Sequence, residues 1–250
     1  MRQTILLIVA VALVGCASTT YIPGKPYTNT LGMKLVPVPG TEVSFCIWET
    51  RVKDYAAYAA ANAGVDGRWK KPGFEQEDTH PVVNVSWYDA RAFCAWLTKK
   101  ELAVGKIKAG QKYRLPTDAE WSVAVGLGQE KGNTPVEKSR GVKDVYPWGK
   151  EWPPPKGAGN HGETLKVDNF EYTSPVGSFA ANKHGLHDLG GNVCEWCEDL
   201  RTTPPDQTRV WRSTYWNSTS PDDLMSSFRN GEIPHIRTEV TGFRCVLAGE

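Results

Sequence analysis

The sequence predicts an α+β fold, one mixed domain with sparse regular secondary structure. Three segments carry helix start signals, four short apolar runs read as strands, and no period is sustained between residues 131 and 188. With 10 Trp, 24 Gly and 17 Pro, the chain is rich in turns and large flat side chains. Aromatic packing and loop hydrogen bonds must therefore hold much of its shape. No repeat or low-complexity tract divides it, and one large domain is the simplest reading of its length.

In chain order, the runs 34–38 and 43–48 read as the first two strands. Residues 52–63 place Val52, Tyr55, Ala56 and Ala59 at helical spacing and stop at Gly64. The run 82–85 reads as a third strand. Ser86-Trp87-Tyr88-Asp89 forms a cap before a helix over 90–102, and Thr117-Asp118-Ala119-Glu120 is a capping box before a helix over 121–127. Residues 243–247 read as the last strand. The irregular stretch 131–188 is unusual inside one compact domain unless it is functional or pinned by ions.

At the N-terminus, Arg2 precedes an apolar run over 4–14, which ends in Leu13-Val14-Gly15-Cys16. The run is too short to span a bilayer. Its order of basic start, apolar centre and small residues is that of a secretory signal, and the box around Cys16 resembles the cleavage box of bacterial lipoproteins. That resemblance implies a signal over 1–15, a lipidated Cys16, a tether over 16–27 and a domain over 28–250. The chain is then a lipid-anchored protein of the bacterial envelope, held by more than one acyl chain. Ala17, which is not Asp, implies the outer membrane. The sequence has 29 Lys and Arg against 28 Asp and Glu, and residues 1–15 hold one of the basic ones, Arg2. The remainder is balanced, so no electrostatic case exists for nucleic acid or for a lipid surface as partner.

Further motifs follow one another through the domain: Trp48-Glu49-Thr50-Arg51-Val52, His80-Pro81-Val82-Val83-Asn84-Val85-Ser86-Trp87, Tyr113-Arg114-Leu115-Pro116 leading into the Thr117 capping box, and Tyr146-Pro147-Trp148-Gly149. They continue with Gly185-Leu186-His187-Asp188-Leu189-Gly190-Gly191-Asn192-Val193-Cys194-Glu195-Trp196 and end on Gly242-Phe243-Arg244-Cys245. In this order the chain resembles the formylglycine-generating enzyme, or sulfatase-modifying factor, family, whose fold is related to C-type lectins.

The resemblance implies two calcium sites in the irregular stretch. One takes the side chains of Asn160 and Asp168 with the carbonyls of His161 and Phe170. The other takes Asp188 and Glu195 with the carbonyls of Gly191 and Val193. Calcium suits such loops, because it accepts carboxylate, amide and carbonyl oxygens in flexible geometry. Spacing alone also allows Asp188 to stabilise a turn and Glu195 to cap a helix. His161, His184 and His187 offer a zinc or iron alternative, which the family pattern disfavours.

Active aerobic members of the family hold copper with two cysteines near the C-terminus, after a Gly-Gly-Ser segment. Thiolates suit Cu(I), which can then activate oxygen. Here the corresponding segment reads Arg212-Ser213-Thr214-Tyr215-Trp216-Asn217-Ser218, and no cysteine lies between Cys197 and Cys245. Copper is therefore not expected. The resemblance implies a disulfide between Cys94 and Cys245. Cys46 has no family counterpart and Cys194 stands where most members have Trp, which suggests a second pair, Cys46 with Cys194, leaving Cys197 free. A Cys194–Cys197 redox pair stays open as the alternative.

Arg229 matches a family arginine at the substrate groove, and Trp216, Asn217 and Ser218, with Trp211 and Tyr215 nearby, supply aromatic and polar contacts of the kind that recognise peptides or sugars. Each could also be ordinary packing in a Trp-rich core. Two function classes follow: a non-catalytic binding or scaffold module for a peptide, glycan or envelope protein, and an oxidoreductase of the formylglycine-generating type with an altered active site.

Overall fold

The computed structural model describes residues 20–128 and 130–249; Cys16, the leader 1–15 and the start of the tether lie outside them. The regular elements are β1 (Tyr27–Thr28), β2 (Lys34–Pro37), β3 (Val43–Cys46), α1 (Val52–Ala61), α2 (Trp87–Ala103), β4 (Lys112–Arg114), α3 (Asp118–Val125), α4 (Pro135–Lys138), β5 (Cys194–Leu200), β6 (Arg209–Arg212), α5 (Pro221–Leu224), β7 (Asn230–Glu232), β8 (Thr241–Gly242) and β9 (Val246–Ala248). Among the described residues no helix is long and apolar enough to cross a membrane. The expected α+β architecture with sparse regular structure is what the chain adopts.

Two sheets organise the domain. One has the order β1-β2-β3-β9-β4 and is antiparallel throughout, and the other has the order β7-β6-β5-β8 with β8 parallel to β5. The longest helix, α2, packs on β4 and α1. Its buried positions Phe93, Cys94 and Leu97 lie on one face, and Phe93 stacks on Tyr55 of α1 at 5.9 Å.

Both predicted caps close as two-way boxes. Ser86 Oγ accepts from the Asp89 N–H at 3.2 Å while Asp89 Oδ2 accepts from the Ser86 N–H at 2.9 Å. In α3, Thr117 Oγ1 accepts from the Glu120 N–H and Glu120 Oε2 accepts from the Thr117 N–H. Each cap is worth about 1 kcal/mol. Gly126 then ends α3 at φ 96°, a left-handed position that favours glycine.

The structure corrects three element boundaries. Residues 82–85 are largely buried yet form no ladder, because Asn84 turns left-handed at φ 56° and the backbone bonds go to Thr50 and Thr238 instead. The run 243–247 is a strand only from Val246, where β9 joins the first sheet; Thr241–Gly242 before it join the second, so residues 243–245 cross between them. Strand β5 escaped notice because its pattern, Cys-Glu-Trp-Cys, puts a fully buried carboxylate in the core. The stretch 131–188 is irregular apart from α4 and one 3-10 turn at Glu163–Leu165.

Candidate functional site

The crossing segment and β5 place Arg244 against Glu195, both fully buried. Arg244 donates from Nη2 to Oε1 at 2.6 Å and from Nε to Oε2 at 2.7 Å; Trp121 Nε1 donates to Oε2 at 3.0 Å. Arg244 Nη2 also donates to the His187 carbonyl at 2.9 Å. Burial opposes the Arg244 charge, but the Glu195 carboxylate outweighs it and raises the guanidinium above its ordinary range.

Two more carboxylates adjoin this pair. Asp188, left-handed at φ 57°, accepts from the Gly177 N–H at 2.7 Å through Oδ2, while its Oδ1 is buried with no hydrogen-bond partner. Burial pushes its carboxyl up to about 6. Glu49, fully buried, accepts from Asn192 Nδ2 at 2.8 Å through Oε2 and leaves Oε1 without a partner. Burial raises the Glu49 carboxyl well above its usual range, and the charges of Asp188 and Glu195 raise it further.

For the second expected calcium set the structure departs from the sequence reading. Glu195 is already chelated on both oxygens by a guanidinium, and a divalent ion at the same carboxylate would sit against Arg244. The carbonyl of Gly191 faces the Ser213 hydroxyl at 3.5 Å. Among the described residues no three His, Cys, Asp or Glu side chains converge as metal ligands. In this set Glu195 is therefore already neutralised by Arg244, and the unpartnered oxygen is Asp188 Oδ1. Glu49, three residues past β3, is a carboxylate not among the residues expected at the site; an acid directly after the apolar run 43–48 was the available signal.

The first set fits better. Asn160 is fully buried; its Nδ2 donates to the Tyr172 carbonyl at 2.8 Å and to Asn192 Oδ1 at 3.2 Å, and its Oδ1 has no partner. Asp168 accepts from the N–H groups of His161 and Phe170 at 2.9 and 2.8 Å, which leaves lone pairs on both carboxylate oxygens. A buried amide oxygen without a donor beside a hydrogen-bonded carboxylate is a donor set that a hard cation suits. Gly191 makes room for this loop: at φ 84°, a Cβ there would collide with the Asn160 carbonyl.

The histidines stay apart. His161 is buried with both ring nitrogens unpartnered and packs edge-on against Trp148; burial lowers its pKa to about 4. His187 Nδ1 meets the Phe179 carbonyl at 2.8 Å.

Around the positions of the family copper cysteines, the loop after β6 is built from hydroxyls. Ser213 takes φ 67°, a left-handed conformation where the family pattern has glycine. Ser218 is buried, and its Oγ accepts from the Tyr215 N–H at 3.2 Å. Trp216 packs edge-on against Tyr172 at 5.0 Å and Phe74 at 5.9 Å, and Phe74 and Tyr172 stack at 4.6 Å. Tyr172 is exposed, so this aromatic group reaches the surface. Asn217 is exposed.

Arg229 is the residue the structure reassigns. Its guanidinium is buried and its donors are taken: Nε by Asp118 at 2.8 Å, Nη1 by Glu130 at 2.8 Å and by the Ser227 carbonyl, and Nη2 by Ser122 and Glu130. Arg212 shares Asp118 at 2.7 Å. Two arginines and two carboxylates neutralise one another here, and no contact joins Arg229 to Trp216, Asn217 or Ser218 among the described residues. Arg229 is a packing ion pair rather than a groove contact.

The described cysteines are free thiols, all buried. Cys94 and Cys245 are brought together as expected from the family, with Sγ atoms 3.4 Å apart, wider than the roughly 2.05 Å of a disulfide. Cys46 is a correction: it faces Cys245 rather than Cys194. The Cys194 thiol points to the Ser213 carbonyl at 3.8 Å. Cys194 and Cys197, three apart on a strand, enter different core clusters, which excludes contact between them in this fold.

A family model described as a sulfatase-modifying factor enzyme 1-like domain matches residues 26–248. The inactive C-alpha-formylglycine-generating enzyme 2 of Bos taurus is 33% identical over 191 residues, covering 71% of this chain and 55% of that protein. The formylglycine-generating enzyme of Thermomonospora curvata is 32% identical over 166 residues, covering 60% of this chain and 42% of that protein. The chain thus spans about half the length of the curated relatives it matches. In fold it is similar to PvdO from Pseudomonas aeruginosa, with a TM-score of 0.66 and 23% identity over 92% of this chain and 100% of that one. The chain belongs to the sulfatase-modifying factor enzyme 1-like domain family.

Proposed function

We propose that this family domain is a non-catalytic binding or scaffold module, anchored in the outer membrane of the bacterial envelope by a lipid on Cys16, with a peptide, glycan or envelope protein as partner. The observation that carries the reading is the loop 213–218. It has Ser213 and Thr214 where active relatives have a Gly-Gly pair, Ser218 near the first of their copper-binding cysteines and no cysteine between Cys197 and Cys245, and the Ser218 hydroxyl is occupied by the Tyr215 N–H. Hydroxyls of this kind neither bind Cu(I) strongly nor carry thiol redox chemistry. Similarity to a relative named as an inactive enzyme supports the same side. The surface group Phe74, Tyr172 and Trp216 supplies the aromatic face for a ligand, and Asn217 the amide.

Calcium at Asn160 and Asp168, with the carbonyls of His161 and Phe170, would hold the irregular stretch in shape and take no part in chemistry. The test is direct: a sulfatase-type peptide containing cysteine, incubated with the full chain, copper and oxygen, is expected to yield no aldehyde. Aldehyde formation would establish the oxidoreductase reading instead.

A further inference from the structure

A cavity of about 380 Å³ lies where α4, the end of β5 and the start of β7 meet, lined by Arg140, Arg201, Arg229, Ser139, Asp223 and Asn230. Its three guanidinium groups are in different states. Arg229 is saturated by Asp118 and Glu130, as described. Arg140 lies over the Phe228 ring at 5.1 Å and donates from Nη2 to Asp223 Oδ1 at 2.6 Å. Arg201 has no carboxylate within ion-pair distance among the described residues, and its Nε is buried without an acceptor. The Arg201 stem is fixed against the backbone, since a Cβ on Gly231 would meet its Cδ at 2.7 Å. Asp206 feels the field of Arg201, but its oxygens accept from the Thr208 N–H and hydroxyl, both at 2.8 Å.

A buried guanidinium N–H without an acceptor is costly unless something fills it. Arginine forks fit oxyanions in particular, because they give parallel hydrogen bonds as well as charge. Here one fork is unfilled and its neighbour holds a half-exposed internal carboxylate.

We propose that this cavity is an oxyanion site, taking a carboxylate, sulfate or phosphate group on Arg201 and Arg140, with Asp223 as an internal competitor that the ligand displaces. The cavity has room for more than a single oxyanion, so a larger molecule bearing such a group also fits. The site shares no residue with Trp216, Asn217 or Ser218 and stands whether or not the aromatic surface binds anything.

Calorimetric titration of the full chain with sodium sulfate, phosphate and acetate, at ionic strength held constant with sodium chloride, tests it. Saturable binding is expected for at least one of these probes, and the order of their affinities separates tetrahedral oxyanions from carboxylates. Asp223→Asn should tighten that binding several-fold by releasing Arg140, and Arg201→Ala should weaken it at least 10-fold. Arg201→Gln is a second variant should alanine disturb the fold, and thermal melts check both. Binding seen only in Asp223→Asn supports the competitor role. Equal isotherms for wild type and Arg201→Ala, no effect of Asp223→Asn, or no binding by any of the proteins would overturn the proposal.

Discussion

Removing Arg244 while keeping Glu195 is expected to be among the most damaging single changes available in this domain. Arg244→Met leaves a fully buried carboxylate without its two charge-assisted bonds at 2.6 and 2.7 Å, and leaves the His187 carbonyl without its donor. Breaking a buried ion pair from one side costs about 3–5 kcal/mol, which for a domain of this size lowers Tm by about 6–20 °C. Glu195→Gln has a related defect, since Arg244 is then the unpaired buried charge. The double variant Glu195→Gln with Arg244→Met removes both charges and should recover much of the loss, giving a strong coupling in a double-mutant cycle. Urea unfolding of the four proteins, each with and without calcium, reads the midpoints. In wild type the Arg244 guanidinium occupies both oxygens of Glu195, so the calcium arm reports whether the carboxylate freed in Arg244→Met takes up a cation. A single variant within about 1 kcal/mol of wild type, or a double variant no better than the single ones, would each refute this account of the site.

Two buried groups should shape the pH dependence of stability in opposite directions. Asp188 carries a folded pKa of about 6 against an ordinary 3.8, so its contribution is fully present below about 4 and is lost as pH rises through about 6; the gap is worth about 3 kcal/mol. Asp188→Asn should therefore be more stable than wild type at pH 8 in calcium-free buffer, and pH-scanned melts showing no such gain would count against it. His161 has a folded pKa of about 4 against 6.5, so its contribution is present above about 6.5 and is lost as pH falls through about 4, by a similar amount. His161→Phe should flatten the acid limb of the same scans. Chelation should lower the wild-type Tm, and calcium should restore it, whereas Asp168→Asn should respond to neither; equal chelator responses would remove the Asn160 site.

The helices were legible because their signals are local: Ser86 with Asp89 and Thr117 with Glu120 specify starts within four residues. The strands were less so. β5 carries Glu195 inward, a placement that makes sense only with Arg244 from the far end of the chain, and a hydrophobic pattern cannot express that pairing. The candidate site divides the same way. Asn160 and Asp168 are eight residues apart and their loop could be recognised as a unit. The roles of Arg229 and Glu49 depended on distant partners, Asp118 and Glu130 for one and Asn192 for the other. Cys46 was misjoined for a related reason, since its neighbour Cys245 arrives through β9 and nothing near residue 46 announces it.

The late crossing of residues 243–245 also bears on how the molecule comes to be folded. Strand β9 fills the place between β3 and β4, and β8 completes the other sheet, so both sheets depend on the final residues of the domain. Contacts of such long sequence separation slow folding, because a large loop must close before they form. A gap stays open beside β3 until β9 arrives, and a chain cut before Thr241 would lack a strand of each sheet. A product truncated before β9 lacks the strand that joins β4 to β3 in the first sheet.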